Sequence, residues 1–376
     1  MDRREFLKAT AAGALAVGSV SGQTRKIRTA LIGCGSVSTQ YLPHMSKCPY
    51  IELVSVCDIK PDRAEAAGKK YNVPYFPHID RQLAGPDFEF LVNTTSMPSH
   101  FPINRKGLEA GKNVWSEKPM GTELSECELL LELAHKKGVK IWGAPTVVTS
   151  PQFAFMARTI NAGKLGRLAA GHAFYGHDGQ LWSAWFFQPK GGSLYDLGVY
   201  NVTTMTGLLG PAKAVVGMTG IGTPERTLTD GTRVKVEVAD NEMLLVDHGN
   251  AVFSHIQSGY NYFSTDGHSG QTERYTIDVV GSKGHMHLVG YDWAPHGVDL
   301  ATAEKPDTER YVPDPGGYVW QWGASYIAEC MATGKESLIT GEHAMHVLEV
   351  MNACHESQRT GRRIPIKTTF KWPVVT

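Results

Sequence analysis

Apolar and polar positions follow two different regimes along the chain, and the change from one to the other falls near Pro145. Before it, short apolar runs alternate with stretches of helical period. Residues 27–32 form a β-rich run that feeds into Gly33-Cys34-Gly35-Ser36-Val37-Ser38, after which Tyr41, Leu42 and Met45 recur at helical spacing. Residues 52–57 predict a second strand ending at Asp58, and Pro61 opens an exposed helix. The alternation continues with a buried strand over 90–93, a helix from about 100 to 110, a strand over 113–116, a helix from about 122 to 137, and a strand over 139–142. Leu124, Cys127 and Leu131 give the last of these helices its apolar stripe, and Gly138 is placed to end it. Strand and helix in repeated turn predict an α/β fold with a doubly wound parallel sheet, whose ligand lies beyond the carboxyl ends of the strands.

Beyond Pro145 the period shortens to two. Alternating runs over 169–175, 234–238, 242–246, 251–257, 275–280 and 285–289 predict an antiparallel sheet. A helix from about 196 to 209 ends at Gly210-Pro211, another from about 320 to 333 ends at Gly334, and a final one covers about 341–359. Segments near 220–232 and 304–317 read as Gly-, Pro- and Asp-rich turns. The pattern thus predicts two units, over residues 26–144 and 145–376.

Composition agrees with two packed cores. The chain has 376 residues, 42% of them hydrophobic and 20% charged, with 37 Lys+Arg against 37 Asp+Glu. A formal charge of zero supplies no broad field for a polyanion, which argues against nucleic acid as a partner. Six cysteines stand apart without a C-x-x-C pair, excluding zinc-ribbon, iron–sulfur and thioredoxin-like sites. The first residues change the picture more. Arg3-Arg4, Phe6-Leu7-Lys8, an Ala- and Gly-rich run over 9–20, and small residues near Ser21 resemble a twin-arginine export signal over residues 1–22. Removing it leaves 34 basic against 35 acidic residues. No other segment approaches 18 uninterrupted apolar residues, so the expectation is a protein free of the membrane after signal cleavage, periplasmic or secreted.

The glycine-rich turn carries the first candidate chemistry. Gly33 permits the tight turn and Gly35 lets the backbone approach a pyrophosphate held by Ser36 and Val37 at a helix N-terminus, while Ser38 replaces the third glycine of the usual fingerprint. Asp58 stands where a carboxylate hydrogen-bonds the adenosine ribose, which favours NAD because it would repel a 2′-phosphate. Lys60 and Arg63 could each reach such a phosphate, so NADP stays open.

Thr95, His100, Gly111-Lys112-Asn113-Val114 and Glu117-Lys118-Pro119, followed downstream by Gly163-Lys164-Leu165-Gly166 and the run from Gly191 to Tyr200, resemble the glucose-fructose oxidoreductase / inositol dehydrogenase / MocA (Gfo/Idh/MocA) family. The resemblance covers the whole chain behind the signal. It implies a Rossmann domain followed by an α/β domain with a large, mostly antiparallel open sheet that usually mediates oligomerisation, as a dimer or tetramer. It also implies nicotinamide between the two. Gly33, Gly35 and Asp58 then match the dinucleotide fingerprint, Thr94, Thr95 and His100 the loop beside the cofactor, and Glu117 and Lys118 the tripeptide whose lysine approaches nicotinamide and substrate. Asp196 matches the aspartate preceding the proton-transfer residue, and Tyr200 falls on that residue, where many members have histidine.

Moving a hydride to or from a carbinol carbon requires a group to move the hydroxyl proton and a positive charge beside the developing alkoxide. Tyr200 and Lys118 can do both, with Asp196 orienting one of them. A free tyrosine titrates near pH ~10, so Tyr200 serves as a base only where a cation stabilises its phenolate. His177-Asp178-Gly179-Gln180, Trp182 and Trp185 add polar groups and flat apolar faces suited to a hydroxyl-rich ligand, with His177 a further catalytic candidate. Tyr260-Asn261-Tyr262 and the stretch from Tyr291 to His296 form a second aromatic-polar cluster, for the pocket or for an oligomer interface. His343 and His346 are a further pair, but His285 and His287, which share a strand face, lack a carboxylate or third ligand nearby in sequence, and the histidines read as structural, so no metal is expected.

The expected function is therefore an exported NAD(P)-dependent oxidoreductase acting on a secondary hydroxyl of a sugar, polyol or glycoside. Free NAD is scarce outside the cytoplasm, which calls for tightly bound cofactor regenerated within the cycle. The alternative is a redox-neutral glycosidase, lyase or epimerase acting through a transient keto-sugar, with His177 or Asp178 as its additional base.

Overall fold

The computed structural model describes residues 25–263, 272–313 and 317–376. The export signal expected over residues 1–22 lies outside the described residues. The first half builds six parallel strands in the order β3-β2-β1-β4-β5-β6: β1 (Ile27–Ile32), β2 (Ile51–Cys57), β3 (Tyr75–Phe76), β4 (Phe90–Asn93), β5 (Asn113–Ser116) and β6 (Ile141–Gly143). Phe90, Leu91, Val92 and Asn93 are all buried, as a strand covered on both faces must be. Helices α1 (Ser38–Met45), α2 (Pro61–Tyr71), α3 (Ile79–Leu83), α4 (Met97–Glu109) and α5 (Leu124–Lys137) supply the crossovers. α5 starts two residues later than its pattern suggested because Glu123 and Glu126 form a reciprocal cap, and Gly138 closes it in the left-handed region. The strand order reverses beside β1, between β1 and β4, which opens the ligand crevice next to the glycine turn.

The second half follows α6 (Pro151–Asn161) with a nine-stranded sheet. Its order is β16-β15-β14-β13-β7-β12-β11-β8-β17, from β7 (Leu168–Gly176), β8 (Ala214–Gly220), β11 (Asn241–Asp247), β12 (Phe253–Gly259), β13 (Tyr275–Gly281), β14 (Gly284–Tyr291), β15 (Ala294–Thr302), β16 (Glu309–Tyr311) and β17 (Ile364–Pro365). The sheet is mixed, since β7 and β12 run parallel and the other pairs antiparallel. The run at 234–238 corrects one expectation: β10 (Arg233–Lys235) leaves the sheet and pairs with β9 (Glu225–Thr227), inside a stretch read as turns. β16 likewise lies in the second stretch read as turns.

Helices α7 (Val199–Leu209), α8 (Gly323–Thr333) and α9 (Gly341–Thr360) complete the fold. α7 and α9 pack on the inner face of the nine-stranded sheet, and α9 also touches α5 and β6 of the parallel sheet. The inward residues of β11, Leu244 and Val246, are buried beneath them, while Met243 and Leu245 point outward and are exposed.

Candidate active site

The glycine turn is fixed by close packing. Gly33 sits at φ +95°, and a Cβ there would meet the Thr94 carbonyl and the Thr95 nitrogen at 2.6 Å. Thr94 donates from Oγ1 to the Gly33 carbonyl (2.8 Å), so β1 and β4 end locked together. The Ser36 and Val37 amides precede the first helical donors of α1, Thr39 and Gln40. Asp58, buried at the end of β2, accepts hydrogen bonds from the Cys34 amide (2.7 Å) and the Lys60 amide (2.8 Å). Arg63 places Nη1 3.4 Å from where a Gly35 Cβ would stand. This crevice fits a dinucleotide, for which Asp58 could take the ribose and the N-terminus of α1 the pyrophosphate.

A buried polar network shapes the loops after β4 and β5. Asn93 Oδ1 accepts from the Thr95 amide and hydroxyl, and its Nδ2 donates to Asn104 and the His100 carbonyl. The His100 ring spans the Pro119 carbonyl (2.7 Å) and the Thr95 carbonyl (3.0 Å), while burial pushes its pKa down. Glu117 accepts from the Tyr41 hydroxyl at 2.5 Å and from the Lys118 amide at 3.1 Å. His100 and Glu117 therefore hold the backbone of the loop that presents Lys118.

Lys118 meets the second half of the chain. Its Nζ donates to Asp196 twice, to Oδ1 and to the main-chain oxygen, each at 2.7 Å. The two side chains are only 12% and 8% exposed, which separates this pair from a screened surface bridge. Tyr260, just past β12, donates its hydroxyl to the other Asp196 oxygen at 2.9 Å. Burial raises the Asp196 pKa, but the Lys118 charge and hydrogen bond, with help from His177 and Tyr260, outweigh it and hold the carboxyl below its ordinary value.

Asp196 lies in a π-helical turn, residues 194–198, that runs straight into α7 and so brings Tyr200 to the same place. The Lys118 ammonium stands over the Tyr200 ring, 5.0 Å from its centre. Burial, then the negative charge of Glu117, pushes the Tyr200 hydroxyl well above the usual tyrosine value. The phenolate expected beside Lys118 is therefore not the resting state: the ammonium is committed to Asp196, and Tyr200 keeps its proton. Tyr175 lies 6.2 Å from Tyr200, 4.6 Å from Tyr291 and 6.1 Å from Trp293, ring to ring, forming an aromatic wall. Of the second aromatic-polar cluster, Tyr260, Tyr291 and Trp293 therefore reach the site, whereas Asn261 bonds Asp240 and Arg226, and His296 bonds Glu273.

His177 stands beside Tyr260 and close enough to Asp196 to act on its charge. It is buried at the end of β7 against Tyr260, and its Nδ1 accepts the Gly179 amide hydrogen at 2.9 Å. The Asp178 side chain is 74% exposed. Trp182 is half exposed, whereas Trp185 stacks on Phe186 at 3.6 Å. The paired histidines have structural partners: His287 bonds Asp278 (2.6 Å), His343 bonds Thr206 (2.9 Å), and His346 accepts from the Ala212 amide (3.0 Å). Sequence reasoning did not identify Tyr260 as an Asp196 ligand, and only the sheet register brings it there.

Comparison with known proteins identifies the family. A family model described as the Gfo/Idh/MocA oxidoreductase family, NAD-binding Rossmann fold, matches residues 27–144, and one for the Gfo/Idh/MocA C-terminal domain matches residues 153–287. The chain is 25% identical to trans-1,2-dihydrobenzene-1,2-diol dehydrogenase of Bos taurus over 339 residues, covering 86% of this chain and 95% of that protein. Among solved structures, levoglucosan dehydrogenase in complex with NADH and levoglucosan superposes with a TM-score of 0.80 at 18% identity, covering 92% of this chain and 100% of that one. The aldose-aldose oxidoreductase of Caulobacter crescentus gives 0.77 at 22%, covering 91% and 100%. The chain belongs to the Gfo/Idh/MocA family and is an NAD(P)-dependent oxidoreductase.

Proposed function

We propose that the protein oxidises or reduces a secondary hydroxyl of a sugar, polyol or glycoside, with Tyr200 moving the hydroxyl proton and Lys118 stabilising the alkoxide. The observation that carries this reading is the buried Lys118–Asp196 pair, 2.7 Å apart, held over the Tyr200 ring. Bound NAD(P) supplies the hydride acceptor or donor. Gly33, Gly35, Ser36, Val37, Asp58, Thr94 and Thr95 would hold it, and Asp58, with both oxygens aligned by backbone amides, favours NAD. Tyr200 enters as a protonated phenol, ready to give its proton to a carbonyl oxygen in the reducing direction. Lys118, anchored by Asp196, keeps a charge beside that oxygen. The wall of Tyr175, Tyr291 and Trp293 suits the apolar face of a sugar ring.

The substrate class draws support from relatives named for sugars, such as the D-apiose dehydrogenase of Paraburkholderia graminis, 20% identical over 370 residues. The twin-arginine pattern supports export, and export favours a cofactor retained and recycled by paired oxidation and reduction. The redox-neutral route would draw on His177, whose Nδ1 takes the Gly179 amide, or on Asp178, whose side chain is 74% exposed and lies 4.0 Å from that ring. We further propose that two copies associate through the outer face of the nine-stranded sheet.

The test is to purify the protein without added cofactor, denature it, identify released dinucleotide by mass, and assay a panel of sugars and aryl glycosides. Near-stoichiometric NAD(H) with paired sugar oxidation and reduction is the expected result. An empty protein that reduces free NAD with a sugar would remove the recycling, and release of reducing sugar from a glycoside without net redox change would remove the oxidoreduction.

A further inference from the structure

Beneath the turn that carries Asp196 lies a buried carboxyl that the chemistry above leaves unused. Glu242 stands in β11, 1% exposed, and one oxygen accepts hydrogen bonds from the Ser193 hydroxyl and the Leu194 amide, each at 2.5 Å. These donors open the π-helical turn 194–198. The other oxygen, Oε1, faces Nε2 of His355 in α9 at 3.4 Å, and neither atom makes a hydrogen bond among the described residues. The His355 ring also stacks on Tyr195 of the same turn, 5.5 Å between centres. Three residues earlier in α9, Asn352 accepts from the Tyr195 hydroxyl (2.7 Å) and donates to the main-chain oxygen of Thr122 (3.5 Å). Thr122 ends the loop that presents Lys118. One helix therefore grips both the turn bearing Asp196 and the loop bearing Lys118.

We propose that Glu242, His355 and Asn352 form a positioning network that sets the Lys118–Asp196 contact, with a proton held between the Glu242 carboxyl and the His355 ring. This rests on the role given above to Lys118, Asp196 and Tyr200. Burial pushes the Glu242 carboxyl up to about 8, against the Ser193 and Leu194 hydrogen bonds, and burial pushes His355 down. Near neutral pH both are uncharged, so the acid hydrogen on Oε1 can be donated to Nε2. Asp240 also faces Glu242 as a like charge, itself paired with Arg226 at 2.8 Å. Tyr195, Tyr260, Tyr262 and Cys354 face it too, and burial keeps all four protonated. Above about pH 8 Glu242 ionises with no cation beside it, and the turn loses its grip on α9.

Glu242→Gln reproduces the protonated acid, since its amide donates to His355 while its carbonyl accepts from Ser193 and Leu194. The wild type should lose turnover along an alkaline limb centred near 8, at least fivefold by pH 9.5. Glu242→Gln should keep neutral-pH turnover within about twofold of the wild type and abolish that limb. Glu242→Ala should lower kcat about tenfold with the NAD Kd within twofold. Acylation of Lys118 by an N-hydroxysuccinimide ester, read by peptide mass, should then rise more than threefold, because the amine is no longer held by Asp196. An alkaline limb retained in Glu242→Gln, or unaltered Lys118 labelling in Glu242→Ala, overturns the network. Faster labelling with unchanged turnover supports the network and instead overturns the role of Lys118 in the reaction. Where Glu242→Ala fails to fold, the pH profile of Glu242→Gln decides alone.

Discussion

Tyr200 holds its proton more firmly than a free tyrosine because it is buried and faces Glu117, Tyr175 and Asp196. Tyr200→Phe should keep the ring beneath Lys118 and remove only the hydroxyl, so kcat/KM should fall about 10²–10³-fold with cofactor binding unchanged, as steady-state kinetics and NAD titration will show. Lys118→Met strands the buried Asp196 carboxylate. It should cost activity as severely and also about 3–5 kcal/mol of stability, measured by denaturant unfolding. A stable, active Lys118→Met protein would contradict both expectations. Lys118, Asp196 and Tyr200 were legible in the sequence because motif order places them. Tyr260 was legible only as part of an aromatic-polar cluster, since its hydroxyl reaches Asp196 from 64 residues away through the β11–β12 register. The polar residues around His177 and Asp178 were legible as a cluster, but the local turn at Gly179 gives Nδ1 of the buried ring an amide hydrogen while leaving the carboxyl largely exposed, which no spacing rule reports.

At the scale of elements, the βαβ half was readable because fully buried strands and capped helices leave strong periodic signals. The second half was less so. β8 contains Gly217, where a Cβ would collide with Cys354 Sγ, and β15 opens with Ala294-Pro295; both strands owe their existence to pairing and packing rather than propensity. α9 shows the same dependence. His343 stacks on Phe370 at 3.9 Å and His346 lies 5.1 Å from it, so two neutral rings dock the C-terminal tail. Burial pushes their pKa values down to about 3 and about 4. The folded values lie below the unfolded one, so the stabilisation is complete above about 6.5 and is lost as the pH falls. At pH 4.5, two units below the free value, each ring disfavours the docked state by roughly 2.5 kcal/mol. Acidification from pH 7 to 4.5 should therefore release the tail, raising hydrogen exchange at residues 366–372 and altering the emission of Trp372, whose Nε1 donates to the Gly207 carbonyl at 2.9 Å. Unchanged exchange across that range would show that the tail is held by something other than these rings.

Over the whole molecule the two faces of the nine-stranded sheet are unequal. The inner face is covered by α7 and α9, while the outer face presents Val216, Met218, Met243, Leu245 and Phe253, each at least 39% exposed. Pairing makes them contiguous: Val216 lies opposite Leu245, Met218 opposite Met243, and Phe253 opposite Asp247 on the next strand. A strand face this apolar is costly to leave in water, and a self-complementary patch is the simplest cover for it, in the closed twofold arrangement common among soluble oligomers. The neighbouring positions are polar and paired across strands, with His255 opposite His172, His172 opposite Asp278, and Asp278 opposite His287, which gives an associating copy a register to read. Met218→Lys with Leu245→Glu should leave the inner packing intact, because both side chains point away from it, and should convert the assembly to monomer in sedimentation velocity. The monomeric variant should keep its cofactor, since the Gly33 turn and the Lys118–Asp196 contact are built within one chain. A wild type that sediments as a monomer at micromolar concentration would remove the outer face as a site of self-association and leave its exposed residues to another partner.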